Sequence, residues 1–486
     1  MRIATTTIYK QGAAELQRHS SVQAKLQNQL STGRRVLTPA DDPISSAKIL
    51  DVTQAQELNK QYAVNSQTAD SAMRLSESTL HQVTELLHDI YSLAVSAGNP
   101  SQTVAEKKLI DTQLQGQYKE MMSLANATDG VGAYLFSGFK GSTQPFSETS
   151  FGNVTYSGDD GQRLMQISGS RQIPVSESGY QIFQAGRTGN GSFVSSANSV
   201  APGNSGSGIV SPGEVVDVTK WNNPAHSQKF KLEFQSVDDP ANPGKPVISY
   251  DLIDNQPMLA DGVTANTNFN KSLVDGYDYT AGVRPVIPGT LNNYPRPYVP
   301  GGDIQFKNLA TDPVGIPPVA AWDYGIKMNV TGQPSTVIGP LGASATPTGI
   351  VSSGVLDSFN VDPSRNNGDI FQTMKVFSDA LNNYQTSPTG MANFHNQLNA
   401  VLQNTSNMLT NVLSSNGSFG AKMVETQSVQ DTNGDLKVQY GQTLSQLQDL
   451  DYSIALSDFS LTQTLLEASR KSFSQVQGLS LFQYIN

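Results

Sequence analysis

The stretch Leu30-Ser31-Thr32-Gly33-Arg34-Arg35-Val36-Leu37-Thr38-Pro39-Ala40-Asp41-Asp42-Pro43 closes one helix and opens another. Leu16, Val22, Leu26 and Leu30 form an apolar stripe ahead of it. Gly33 then stands where a helix stop adopts the left-handed conformation that glycine reaches without strain. Asp42-Pro43 supplies a side-chain acceptor at the next cap and a proline at the first helical position, where its missing N–H costs nothing. Helix, stop, loop and start follow one another within this one joint.

Outward from the joint, apolar residues recur at helical steps of three and four. They run through Leu80, Val83, Leu87, Ile90 and Ala94, then through Ile110, Leu114, Tyr118, Met121 and Ala125. Gly98-Asn99-Pro100 separates these two runs, and Thr103 with Glu106 forms a capping-box pattern that opens the second. Near the other end the steps pass through Met391, Phe394, Leu398, Val401, Thr405, Met408 and Val412. Tyr440, Leu447, Ile454, Leu461 and Ala468 then recur every seven residues, with Leu450 between them, which reads as a coiled-coil register. The pattern predicts helices near 5–32, 44–97, 103–127, 369–386, 390–413 and 436–477.

Proline marks where such helices cannot continue. Residues 1–144 hold 3 prolines and residues 389–486 hold none, whereas residues 145–388 hold 22. The middle therefore reads as β structure and loops. Val154-Thr155-Tyr156 and Leu164-Met165-Gln166-Ile167 flank Gly158-Asp159-Asp160-Gly161 as the arms of a hairpin would. Further strands are expected at 229–234, 247–253, 304–307 and 326–330. Residues 195–213 and the proline-rich 285–302 read as loops.

A lone amphipathic helix cannot bury its own stripe, and a helix over 436–477 would run for about 60 Å. The simplest arrangement pairs the two chain ends around a central β-rich excursion. The expected fold is α+β and multidomain: N- and C-terminal helices paired in a coiled-coil or helical-bundle rod, with a β-rich domain inserted in the middle. The expected divisions are residues 1–43 plus 453–486 as terminal coiled-coil helices, 44–145 plus 369–452 as the rod, and 146–368 as an outward-facing insert of one or two subdomains. The outermost segments are rich in Gln, Ser, Thr and Asn. They bury little area against an ordering cost of about 1–2 kcal/mol per residue, so they are expected to order fully on assembly. The candidate packing residues are Leu16, Leu26 and Leu30 against Leu447, Leu450, Ile454 and Leu461 of the same or a neighbouring chain, with Leu479, Leu481 and Phe482 anchoring the tip.

Composition narrows the chemistry. The 486 residues include no cysteine, which removes disulfides, thiolate metal sites and a thiol nucleophile. A formal net charge of −10 argues against a nucleic-acid partner, which would need a basic face. No apolar stretch reaches the length of a membrane span, and the first residues lack the apolar core of a cleaved signal peptide.

Titratable clusters give no catalytic set. His81 and His88 stand two turns apart, about 10 Å on a helix, too far to share one metal ion directly. Asp431, Asn433 and Asp435 imitate the start of a calcium loop, but Gly434 is misplaced and Gln442 stands where a bidentate Glu is required. A turn or kink at Asn433-Gly434 is the plainer reading. Gly244-Lys245 is followed by Pro246, which defeats a phosphate loop, and no Gly-x-Ser-x-Gly elbow occurs. The adjacent pairs Asp41-Asp42, Asp159-Asp160 and Asp238-Asp239 suit caps and turns. No enzyme, cofactor or metal is expected.

The joint resembles the segment that follows the first helix of bacterial flagellins and their relatives, with Gly33, Asp41, Asp42 and Pro43 in its pattern. Asp449-Leu450-Asp451-Tyr452 is similar to the family's passage from rod to terminal helix, with Asp451 in that pattern. The resemblance covers about half the chain, at both ends and in the right order. Tyr134-Leu135-Phe136-Ser137-Gly138, ahead of Gln144-Pro145-Phe146, resembles the hook-associated protein 3 family, the hook–filament junction proteins. So do residues 154–161 and the ending Leu479–Asn486. Tyr134, Phe136 and Gly138 carry that part of the match.

The resemblance implies a structural component of the bacterial flagellum, a secreted junction layer that adapts hook to filament. It implies export through the flagellar channel with no cleaved signal peptide. The implied partners are the other hook-associated junction protein, flagellin, a ring of identical subunits and a cytoplasmic export chaperone, with neither nucleic acid nor membrane among them. A flagellin filament subunit is the alternative within the superfamily. A surface adhesin or hydrolase carried in the central insert is the alternative of another class, resting on that insert's size and polarity.

Overall fold

The structure is a computed structural model that describes residues 5–130, 132–200, 203–238, 246–281, 295–312, 321–334 and 356–478. Its helices are α1 (Thr5–Thr32), α2 (Pro43–Ala97), α3 (Val104–Ala125), the short α4 (Gly179–Phe183) and α5 (Val218–Trp221), α6 (Ile370–Asn382), α7 (Pro388–Gln448) and α8 (Tyr452–Gly478). Most signals of the sequence sit where they were expected. Gly33 has φ +69°, Asp42 accepts the Ser45 N–H at 3.0 Å, and Thr103 with Glu106 closes a reciprocal capping box. The helical ends and β-rich middle therefore form as the sequence pattern implies.

Two expectations fail in the C-terminal helices. The chain does not break near Asn433-Gly434, because α7 runs unbroken from Pro388 to Gln448. Asn433 is buried in mid-helix, where its carbonyl accepts the Asn59 Nδ2 at 2.7 Å and its own Nδ2 donates to the Ile167 carbonyl at 3.2 Å. The Ile167 carbonyl gives the side-chain amide a distant use in place of the local one a turn would have given it, while Asn59 bonds the main-chain carbonyl. The break lies at residues 449–451 instead, so the seven-residue register from Tyr440 to Ala468 crosses an interruption and is not one continuous seam.

Strands β1 (Phe146–Ser150), β2 (Asn153–Tyr156), β3 (Leu164–Gln166), β4 (Gln172–Pro174) and β5 (Gly186–Arg187) precede a larger set. That set is β6 (Phe193–Ala197), β7 (Ile209–Val210), β8 (Glu214–Val215), β9 (Phe230–Asp238), β10 (Pro246–Asp254), β11 (Arg296–Pro297), β12 (Asp303–Lys307), β13 (Asp323–Thr331) and β14 (Ser358–Pro363), with β15 (Asn366–Gly368) following. One sheet has the order β11-β10-β9-β14-β6, and the other runs β12-β13-β7 with β8 also on β13. All their pairings are antiparallel. Alternate residues of both sheets share one core of Phe193, Phe230, Leu232, Phe234, Phe306, Ile326 and Phe359 among others, with Trp221 inside it and Trp322 against it. This is sheet-on-sheet packing with inward side chains at period two.

The expected hairpin around Gly158–Gly161 does not form. β2 pairs with β1, and β3 pairs with β4. The turn is used differently: Asp159 Oδ1 accepts the N–H groups of Phe139 and Gly161 at 2.8 and 2.9 Å. Tyr156 donates its hydroxyl to the Phe136 and Asp159 carbonyls. Gly138, at φ +67°, is required there because a Cβ would stand 2.2 Å from the Asp159 carboxylate. Phe136, Phe146, Phe183 and Phe371 meet beside this loop with ring centroids 5.4–6.4 Å apart.

The contacts divide the chain into two compact units. One comprises Met1–Asp70, Met165–Ile173 and Val424–Asn486, and the other Ser71–Leu164 and Pro174–Met423. The second unit holds the sandwich and the apolar seam of α2 (Met73, Leu80, Val83, Leu87, Ile90, Ala94). Within it, α3 buries Lys107 one turn before Asp111 on the stripe read from Ile110. The Lys107 ammonium donates to the Ala97 carbonyl at 2.7 Å, closing the C-terminus of α2, and lies 4.4 and 4.3 Å from the Tyr384 and Phe394 ring centroids. Burial pushes its pKa down.

Candidate assembly surface

Helices α1 and α8 pack against each other along their lengths. They are antiparallel: the Tyr9 and Phe473 rings lie 4.9 Å apart at one end, and Gly33 faces the Tyr452 hydroxyl at the other. On α1 the sheltered row is Gly12, Leu16, His19, Gln23, Leu26 and Leu30, in steps of four and three, with Gln29 buried beside Leu30. On α8 they are Ala455, Phe459, Thr462, Leu466, Ser469 and Phe473, again in steps of four and three. Both rows are heptad seams, and about half of each is small or polar.

Leu16, Leu26 and Leu30 thus lie on the inner face of the pair. Ile454 and Leu461 do not. They are 62% and 59% exposed, on a flank about 100–120° round the helix from the row of Ala455 and Leu466. The sequence pattern carried two apolar rows on this helix, and the heptad counted from Tyr440 selected the outer one. Leu456, Leu465 and Ala468 are exposed as well. Leu447 and Leu450, both half-buried, belong to the end of α7 and to the joint. Leu479, Leu481 and Phe482 lie outside the described residues.

At the joint both strands of the chain interrupt their helices at the same level. Arg34 and Asp449 form an antiparallel bridge. The Arg35 N–H donates to the Gln448 carbonyl at 2.7 Å, and the Leu450 N–H to the Gly33 carbonyl at 2.9 Å. Arg35 Nη2 adds a bond to the Leu447 carbonyl at 2.8 Å. Asp451 opens α8 by accepting the Ser453 and Ile454 N–H groups.

Asp41 holds the loop together. Its Oδ2 accepts the Leu37 and Thr38 N–H groups at 3.1 and 2.9 Å, and its Oδ1 lies 2.7 Å from the Lys25 ammonium. The Lys25 hydrogen bond, followed by that from Thr38, holds the Asp41 carboxyl down at about 2. Asp42 is also held below the usual range, chiefly by bonds from Ser45. Lys25, the buried Gln29, whose Nε2 donates to the Arg35 carbonyl at 2.5 Å, and Arg35 escape a reading of the sequence, because their roles depend on a partner loop or on the far end of the chain.

His81 and His88 are exposed on α2, and His81 Nδ1 lies 3.5 Å from Glu85. Among the described residues no three His, Asp or Glu side chains group as metal ligands would. No helix among them is long and apolar enough to cross a membrane.

Residues 3–140 match the family model of the bacterial flagellin N-terminal helical region. Over 185 residues the chain is 35% identical to flagellar hook-associated protein 3 of Salmonella typhimurium, a match covering 38% of this chain and 57% of that protein. The resemblance is to hook-associated protein 3. The chain thus spans a little over half the length of the curated relatives it matches. The fold extends the likeness further. A crystal structure of flagellar hook-associated protein 3 from Legionella pneumophila superposes with a TM-score of 0.62 over 82% of this chain and 98% of that one, at 23% identity. A crystal structure of the flagellar junction protein FlgL from the same organism gives 0.59 over 83% and 100%, also at 23% identity. At that identity the superpositions speak for the fold.

Proposed function

We propose that this chain is a structural component of the bacterial flagellum that forms the junction layer between hook and filament. One face of the layer would meet the other hook-associated junction protein, and the other face would meet flagellin. Identical subunits would form a ring. The observation that carries the reading is the outer row on α8. Ile454, Leu461 and Leu465 remain in water while the helix's inner row is already occupied by α1. Burying each against a neighbouring subunit contributes about 1.5–3 kcal/mol, which suits a chain whose paired ends are completed by assembly.

The same reading makes 146–368 an outward-facing insert. It also makes the C-terminal helical region, with Leu479, Leu481 and Phe482, the segment that an export chaperone covers before secretion. The likeness to hook-associated protein 3 favours a junction protein over a filament subunit. Deleting the gene in the motile bacterium that carries it tests the proposal. A junction protein predicts hooks without filaments and flagellin shed into the medium. Filaments of normal length on the deleted cells would refute it. Loss of filaments with no shed flagellin would point to the filament subunit instead.

A further inference from the structure

Within the unit that contains the chain ends, α7 buries Leu444 near its end, but beside the β3–β4 hairpin neither α2 nor α7 fully buries a large apolar side chain. From Asn59 to Ala69 the fully buried residues of α2 are Asn59, Ser66 and Ala69. From Val424 to Asn433 those of α7 are Thr426 and Asn433. None has a large apolar side chain, so direct burial offers weak cohesion here. The apolar groups come from elsewhere. The 165–173 tip of the β3–β4 hairpin places Ile167 and Ile173 in this unit, both fully buried.

The tip is bonded to both helices. Asn65 Nδ2 on α2 donates to the Gln166 carbonyl at 2.8 Å. Asn433 Nδ2 on α7 donates to the Ile167 carbonyl at 3.2 Å. Arg171 pairs with Glu425 of α7. Asn433 also receives Asn59 from α2 through its own carbonyl, at 2.7 Å. One residue, which sequence alone marks as a turn former, thus joins three segments.

We propose that the hairpin tip is a strap that holds α2 and α7 together in this unit, with Asn433 as its central fastening. The strap supplies the apolar volume that the two helix faces lack. Its grip on main-chain carbonyls through side-chain amides fixes the helices' positions. Removing the amide leaves the buried Ile167 carbonyl without that donor, and removing the isoleucine leaves the small-residue faces unfilled.

The native chain has no cysteine, so two introduced thiols can carry nitroxide labels without interference. Leu58→Cys and Val438→Cys place them on exposed positions of α2 and α7, and pulsed electron spin resonance reads the distance between them. The otherwise unaltered chain should give one narrow distribution. Asn433→Ala combined with Ile167→Ser should broaden it and move it to longer distance. Ser66→Ala should leave it unchanged, because the Ser66 hydroxyl is buried without a partner. An equally narrow, unshifted distribution in the double variant would overturn the strap. If that variant loses its helicity, Asn433→Ala alone decides, since it removes the fastening and leaves Ile167 in place. Broadening then supports the proposal, and an unchanged distribution overturns it.

Discussion

Gly33 packs against Tyr452: a Cβ on Gly33 would lie 2.9 Å from the Tyr452 hydroxyl oxygen. The contact joins the end of α1 to the start of α8, and Gly33 also has φ +69°. Gly33→Ala therefore meets two penalties, backbone strain of about 1–2 kcal/mol and a steric clash. Gly33→Ala should loosen the α1–α8 pairing, visible as faster amide exchange along both helices. Tyr452→Phe added to it should recover the steric part and leave the backbone part. Equal exchange in the single and double variants would show that the hydroxyl contact carries no weight.

The two faces of α8 should respond differently to charge. Ile454→Asp adds a charge to an exposed position, so the monomer should keep its helix content and its α1–α8 pair while assembly is lost. Ala455→Asp, one residue on, buries a carboxylate at a site 3% exposed. That variant should lose the pairing itself, with a cost of several kcal/mol. Circular dichroism and sedimentation separate the cases. Normal assembly of Ile454→Asp would remove the outer row from the subunit interface.

These variants show how far the sequence is legible. Stops and starts are written locally: Gly33, Asp42-Pro43 and the Thr103–Glu106 box each act within a few residues, and each forms as read. The strands read at 229–234, 247–253, 304–307 and 326–330 fall on β9, β10, β12 and β13, because a run of strand-forming residues is a local signal. The choice between the rows of Ile454 and Ala455 is not local. Both rows step by three and four, and only the partner helix decides which is inside. Asn433 and Asp159 mislead for a related reason. Their short polar side chains normally serve nearby backbone, but Asn433 serves Ile167, and Asp159 serves Phe139 besides its neighbour Gly161, and spacing does not reveal the distant partners.

The tryptophans allow the ends and the sandwich to be followed separately. Trp221 is 3% exposed in the sandwich core, and Trp322 packs against it. The terminal helices contain no tryptophan and meet along seams that are half small or polar. Limited proteolysis of the monomer should trim both termini while tryptophan emission stays at its native wavelength. A red shift accompanying the first cuts would mean that the sandwich depends on the terminal pair.

Asp41 sets the acid response of the joint. Its carboxyl titrates at about 2 in the folded chain, held down first by Lys25 and then by the Thr38 N–H, against roughly 3.9 in an unfolded one. A depressed carboxyl contributes stability that is fully present above the unfolded value. That contribution falls away as pH drops through about 4 and is gone below about 2. The amides of Leu37 and Thr38, which donate to this carboxylate, should therefore stay protected at pH 5 and lose protection progressively below 4. Lys25→Met removes the leading cause of the depression, so the carboxyl should titrate higher, the contribution should shrink, and its loss should be complete at higher pH. Carboxyl chemical shifts and amide exchange, followed together across the acid range, check both statements. An Asp41 titration that does not move in Lys25→Met would show that the loop N–H groups alone hold the carboxylate.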